Sequence, residues 1–150
     1  MDAEAGQDIG LNNAQKRPET FSKAERICSK RVVEKLFAGG NPSMTAFPLR
    51  VVFCLQPAPA DAPDALPPAC VLVSVAKKRL HHAVDRNRTK RQIREAYRHN
   101  KHLLTDALAH KGLHADIAFI CLNQELCSSQ KISSSMQRLL QRMAETLEQE

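Results

Sequence analysis

The sequence predicts an α/β protein with a small sheet, and three observations carry that prediction. Three short runs, residues 49–56, 70–76 and 115–122, are rich in β-branched and apolar side chains and have strand length. Stretches with helical apolar spacing lie before, between and after them. With 150 residues and 43% apolar composition, the chain is long enough for one domain with a core and too apolar to be disordered.

Taken in order, residues 1–20 are polar and end near Pro18, which reads as a mobile tail ahead of a single domain spanning residues 21–150. From 22 to 37, Ile27, Val32, Val33, Leu36 and Phe37 recur mostly at helical spacing, and Gly39, Gly40, Asn41 and Pro42 stop that helix. Residues 43–47 have room for a short extra strand. In the strand over 49–56, Leu49, Val51, Phe53 and Leu55 share one face, and Arg50, Val52 and Cys54 the other. Residues 57–68 hold five of the eight prolines, which fix φ and remove backbone donors, so a stiff exposed loop is expected, with a domain boundary as the lesser alternative. Near the end, Ile132, Met136, Leu139, Leu140, Met143 and Leu147 mark an amphipathic helix behind Ser128 and Ser129, either of which can cap it.

Charge is distributed unevenly. The chain carries 22 Lys and Arg against 16 Asp and Glu, a net +6, yet residues 77–101 alone hold ten cations and two acids. That window carries +8, so the other 125 residues carry −2. A mildly acidic body with one strongly basic element points to a polyanionic partner bound at one place. On a helix over residues 86–104, Lys90, Arg91, Arg94, Arg98 and Lys101 fall in one arc with Asn87, while Ile93, Ala96, Tyr97, Leu103 and Leu104 gather opposite. A merely solvated face mixes signs, and this one does not. Aromatics are only 4%, which disfavours a base-stacking platform, and no helix and tight turn precede the segment as in a helix-turn-helix. Backbone and shape recognition of a structured RNA fits best.

The run Ala83-Val84-Asp85-Arg86-Asn87-Arg88-Thr89-Lys90-Arg91-Gln92-Ile93-Arg94-Glu95-Ala96-Tyr97-Arg98 resembles the RNR signature of the protein subunit of bacterial ribonuclease P. Its context agrees: Ser74-Val75-Ala76-Lys77-Lys78 leads in, and Asp116-Ile117-Ala118-Phe119-Ile120 looks like that family's last strand. The resemblance covers residues 21–147. It implies an α+β sandwich on a small mixed sheet of about four strands, in which a basic helix joins two parallel strands by a left-handed crossover, against the usual right-handed rule. It also implies a partner, the catalytic RNA, which with Mg²⁺ removes the 5′ leader of precursor tRNA, while the polypeptide supplies no catalytic residue.

By position, the resemblance assigns Lys77, Lys78, Arg86, Asn87, Arg88, Lys90, Arg91, Arg94 and Arg98 to RNA binding. Asn87 is expected to position a phosphate or a metal-bound water, and Glu95 to orient a neighbouring Arg. Asp85, Thr89 and Gln92 are read as variable surface positions. A cleft between the first helix and the sheet would hold the leader, with Val33, Phe37 and Phe53 as its candidates; core packing is the competing reading for the two Phe residues. Val33 stands where an aromatic is usual. The glycine that commonly follows the Lys-Lys pair is missing, and Arg79-Leu80-His81-His82 is one residue longer than the common version.

Other constellations are weaker. Five Cys, at 28, 54, 70, 121 and 127, form an odd set with no Cys-x-x-Cys pair and are read as reduced thiols. His99 with His102, and His110 with His114, have helical spacing, but a helix through Gly112 is not expected and neither pair has a nearby Cys or a carboxylate at ligand spacing, so no metal site is predicted. His81 and His82 are surface residues or RNA neighbours. No apolar h-region and no span-length apolar stretch is present, so a cytoplasmic protein without membrane or obligatory protein partner is expected. A non-enzymatic binder of structured RNA, such as a ribosomal protein or RNA chaperone, remains the alternative; a protein-only nuclease lacks candidate carboxylates.

Overall fold

The structure, a computed structural model, describes residues 21, 23–27, 29–58 and 67–149; the tail over 1–20 and most of the proline-rich loop lie outside them. The chain opens with a short 3₁₀ turn at Lys23–Glu25. Arg26 then makes a parallel bridge to Val71, and the Ile27 N–H donates to the Val71 carbonyl at 3.0 Å. This corrects the first helix. A backbone that hydrogen-bonds to a strand edge cannot also close helical turns, so α1 spans only Lys30–Phe37. Its end follows the sequence signal: Gly39 and Gly40 take φ of 98° and 84°, and the Asn41 side-chain amide donates to the carbonyls of Lys35 and Leu36.

Strands β1 (Ser43–Ala46) and β2 (Leu49–Pro57) form an antiparallel hairpin around Phe47 and Pro48, whose peptide is cis. After the loop come β3 (Ala69–Ser74), α2 (Ala83–Asn100), α3 (His102–Lys111), β4 (Leu113–Cys121) and α4 (Ser129–Gln149). The sheet order is β1-β2-β4-β3, with β2 antiparallel and β3 parallel to β4. Parallel neighbours need a crossover, and α2 with α3 supplies it.

The basic helix ends four residues before its expected limit, and α3 was not expected. Leu103 and Leu104 belong to α3, which begins after a break in the helix at Lys101; Leu104 and Leu108 are fully buried in the core and Leu103 packs partly buried against it. Gly112, at φ 66°, caps α3 with its N–H on the carbonyls of Leu108 and Ala109. For α4, Ser128 is the capping side chain: its hydroxyl accepts the Lys131 N–H at 3.1 Å. All six expected apolar positions of α4 are buried.

The two sheet faces differ. Leu49, Val51 and Phe53 of β2 join Val71 and Val73, Ile117 and Phe119, and the apolar stripes of α2, α3 and α4 in the main core. Each large side chain enclosed there contributes roughly 1.5–3 kcal/mol. The opposite face carries the alternate residues, Val52, Cys54 and Gln56 of β2 with His114, Asp116 and Ala118 of β4. Helix α1 lies on this side, with Leu36 buried and Lys35 Nζ donating to Gln56 Oε1 at 3.5 Å. No described helix is long and apolar enough to cross a membrane.

Candidate nucleic-acid interface

Between β3 and α2 the chain turns over Lys77, Lys78 and Arg79, with the N–H groups of Arg79 and Leu80 both donating to the Ala76 carbonyl. Arginines close this lead-in. Arg79 donates to the Leu122 carbonyl at 2.8 Å, and Arg86 donates to the carbonyls of Leu80 and His81 at 2.9 and 2.8 Å. The absent glycine and the extra residue are thereby accommodated. Arg86 points inward to the turn; Lys77 and Lys78 are exposed on it.

From there α2 presents a continuous outward face. Asn87, Arg91, Arg94 and Arg98 recur at i, i+4, i+7 and i+11 and line an open groove of about 490 Å³ whose other lining residues are Glu95, Phe21 and Arg26. The Arg26 guanidinium lies 5.3 Å over the Phe21 ring, and Phe21 meets Tyr97 edge-on at 5.8 Å between centroids. Tyr97 continues to Phe119 at 5.9 Å, so the groove floor is anchored in the core. Burial pushes the Tyr97 phenol far above its ordinary range, which keeps it neutral beneath the cations. Lys90 is half-buried at one edge, and Arg88 is exposed on the other flank.

Within the groove Glu95 accepts from Arg98 at 2.8 Å, and this bond holds its carboxyl below the usual range. The expectation that Glu95 orients an arginine matches this contact. Lys101 does not belong to the arc: at the bend after α2 its Nζ donates to Glu25 Oε2 at 2.8 Å, with both side chains largely enclosed. Two of the positions read as variable surface are structural. Thr89 is buried, and the Gln92 amide donates to the Cys127 carbonyl and the Ser129 hydroxyl, tying α2 to the start of α4.

Of the leader-cleft candidates, Val33 and Phe37 lie one turn apart on α1, half-buried and 48% exposed respectively. Phe53 is not with them. It is 1% exposed in the main core, on the other face of the sheet, because it shares the alternation of Leu49 and Val51. Sequence reasoning missed Phe21 and Arg26. They carry no periodic signal, and it is pairing with a distant strand, through the bridge from Arg26 to Val71 and the bond from Cys70 to Ala24, that brings their segment alongside the sheet.

The family model for ribonuclease P matches residues 21–144. The chain is 42% identical over 129 residues to the ribonuclease P protein component of Porphyromonas gingivalis strain ATCC 33277, covering 85% of this chain and 90% of that one. It is 40% identical over 96 residues to the component of Chlorobaculum tepidum, covering 64% and 60%. In fold it resembles the ribonuclease P protein of Staphylococcus aureus, with TM-score 0.58 and 24% identity over 83% of this chain and 99% of that one. The Thermotoga maritima protein gives 0.58 and 21% over 79% and 96%. A match across most of the chain settles the family: the chain belongs to the ribonuclease P protein family, and its role is that of a protein component of this endoribonuclease in tRNA processing.

Proposed function

We propose that the outward face of α2, together with the groove it forms against Phe21 and Arg26, binds the catalytic RNA of ribonuclease P and assists removal of the 5′ leader from precursor tRNA. The observation that carries this reading is the alignment of Asn87, Arg91, Arg94 and Arg98 along one groove. Planar guanidinium groups hold two phosphate oxygens at once, and each neutralised phosphate releases counterions. Lys77, Lys78, Arg88 and Lys90 extend the cationic surface at its margins, and the Asn87 amide can bond a phosphate or a metal-bound water. The face of α1 bearing Val33 and Phe37 is the proposed contact for the single-stranded leader, with Phe37 offering one stacking surface.

Among the described residues Glu95 is the one carboxylate lining the groove, and Arg98 engages it. The groove therefore suits phosphates and leaves Mg²⁺ to the RNA and substrate, where it supplies an activated water. In this reading the polypeptide binds and orients while the RNA carries the chemistry, and the work is assigned to the cytoplasm.

Cleavage of precursor tRNA by the cognate RNA at low Mg²⁺, with and without the protein, tests the proposal. Stimulation is expected, and no stimulation overturns it. Sequencing RNA that copurifies with the chain should return the ribonuclease P RNA; predominantly ribosomal RNA would favour a ribosomal or chaperone role.

A further inference from the structure

We infer that the sheet face away from the main core holds a transition-metal site of the zinc type, with Cys70, His114 and Asp116 as its three protein ligands. The inference stands independently of the RNA interface. Parallel pairing sets Cys70 directly beside Asp116 on the neighbouring strand, and His114 precedes Asp116 by two residues on the same face. One ligand atom from each residue lies within 4.8 Å of the other two. His114 and Asp116 are buried, at 8% and 7% exposure, and Cys70 is half-buried. A thiol, an imidazole and a carboxylate together make a donor set suited to Zn²⁺.

The hydrogen bonds orient the histidine for such a role. Its Nδ1 lies 3.2 Å from the Pro67 carbonyl, and its Nε2 lies 3.1 Å from Asp116 Oδ1. With Nδ1–H donating to Pro67, the Nε2 lone pair and the carboxylate are two acceptors face to face, and a cation must lie between them. A proton can fill that place, with the Nε2 and Asp116 Oδ1 3.1 Å apart. A metal ion takes its place, and the Pro67 carbonyl becomes the outer partner that a ligating histidine usually has. Bonds of about 2.0–2.3 Å around a tetrahedral ion set ligand atoms roughly 3.3–3.6 Å apart, and here the imidazole and carboxylate atoms are 3.1 Å apart with all three ligand atoms within 4.8 Å of one another. One Zn²⁺ replaces the thiol proton and the imidazolium proton, releasing two protons and leaving a neutral cluster with one position for water.

Cys70 Sγ also donates to the Ala24 carbonyl at 3.4 Å, beneath the segment that carries Phe21 and Arg26. An ion here replaces the thiol proton that makes this bond, so it fastens β3 to β4 and releases the Ala24 carbonyl.

The test uses the full chain, stripped of metal and titrated with Co²⁺ and then Zn²⁺. We expect a stoichiometric thiolate-to-cobalt charge-transfer band that Zn²⁺ displaces. Cys70→Ser should abolish it and weaken Zn²⁺ binding beyond the roughly 10–100-fold that loss of an outer-shell partner costs. Cys54→Ser, opposite Asp116 on β2 but outside the cluster, should leave the band intact. As a check that needs no variant, Zn²⁺ should protect Cys70 of the unmodified protein from alkylation, read by peptide mass mapping. No band at one equivalent, a band that survives Cys70→Ser, or unprotected Cys70 would each overturn the site.

Discussion

The two ends of the basic segment and its middle use the same residue types in opposite ways. At the ends, Arg79 and Arg86 donate to backbone carbonyls of the lead-in, and Lys101 is paired with Glu25 in a largely enclosed site. In the middle, Arg91 and Arg94 line a groove. A count of charges in sequence treats all of these as one surface. The structure divides them into cations that build the crossover and cations that it displays, and the division follows the helix: positions on the arc within α2 face outward, while those where the backbone turns are drawn to carbonyls and a carboxylate.

The sharpest way to break this comparison is at its inward end. Lys101→Met removes the ammonium group from the enclosed Glu25 carboxylate and is expected to cost up to about 3–5 kcal/mol in denaturant unfolding. The salt dependence of RNA binding by the folded variant should not change. If the slope of log K against log salt falls instead, Lys101 contacts RNA and the division is misplaced. The outward counterpart is the triple change of Lys90, Arg91 and Arg94 to Ala. At about 1 kcal/mol per phosphate near 0.1 M salt, RNA binding should weaken by about 3 kcal/mol and its slope flatten by roughly two to three units. Thermal stability should hold, and unchanged affinity would remove these residues from the interface. Arg86→Ala comes next. Losing charge-assisted bonds to two carbonyls should cost about 1.5–3 kcal/mol of stability, with little effect on the slope once the protein is folded. An altered slope with intact stability would return Arg86 to the RNA-binding set to which sequence resemblance assigned it.

What the sequence made legible follows from the range of each signal. The strands and α4 were readable because alternation and helical spacing are local, and Ile132 to Leu147 are buried as that spacing requires. The first helix was drawn too long because Ile27 fits a helical pattern while its backbone bonds to Val71, far away in sequence. Leu103 and Leu104 extend the apolar side of α2 on a helical wheel, and nothing local announces the bend that hands them to α3. Phe53 was placed at a cleft although its own alternation with Leu49 and Val51 puts it in the core. At the interface, Asn87, Arg91, Arg94 and Arg98 were identified and their groove partners Phe21 and Arg26 were not. The Cys70, His114 and Asp116 cluster was hidden for the same reason. Histidines were compared at helical spacing, whereas on a strand the neighbour that matters is two residues away, and the thiol comes from a parallel strand whose register no local pattern reveals.

The smallest expected effect probes the boundary between the two uses of charge, at Glu95. Its pair with Arg98 is exposed, so its loss should change stability by no more than about 1 kcal/mol. Because Arg98 holds the carboxyl below its usual range, Glu95 stays ionised at neutral pH and opposes phosphate in the groove. Glu95→Gln keeps an oxygen that can accept from Arg98 and removes the negative charge, so RNA should bind slightly tighter with a steeper salt slope. Glu95→Ala removes the charge and the acceptor together, and should tighten binding less or weaken it, because Arg98 then loses the bond that orders it. Measured side by side, the pair separates charge from orientation. Equal gains in both variants mean that Glu95 only subtracts charge from the groove. Weakening in both means that the ionic pair itself sets Arg98 for RNA, which would place this carboxylate with the inward, structure-building charges and not with the displayed ones.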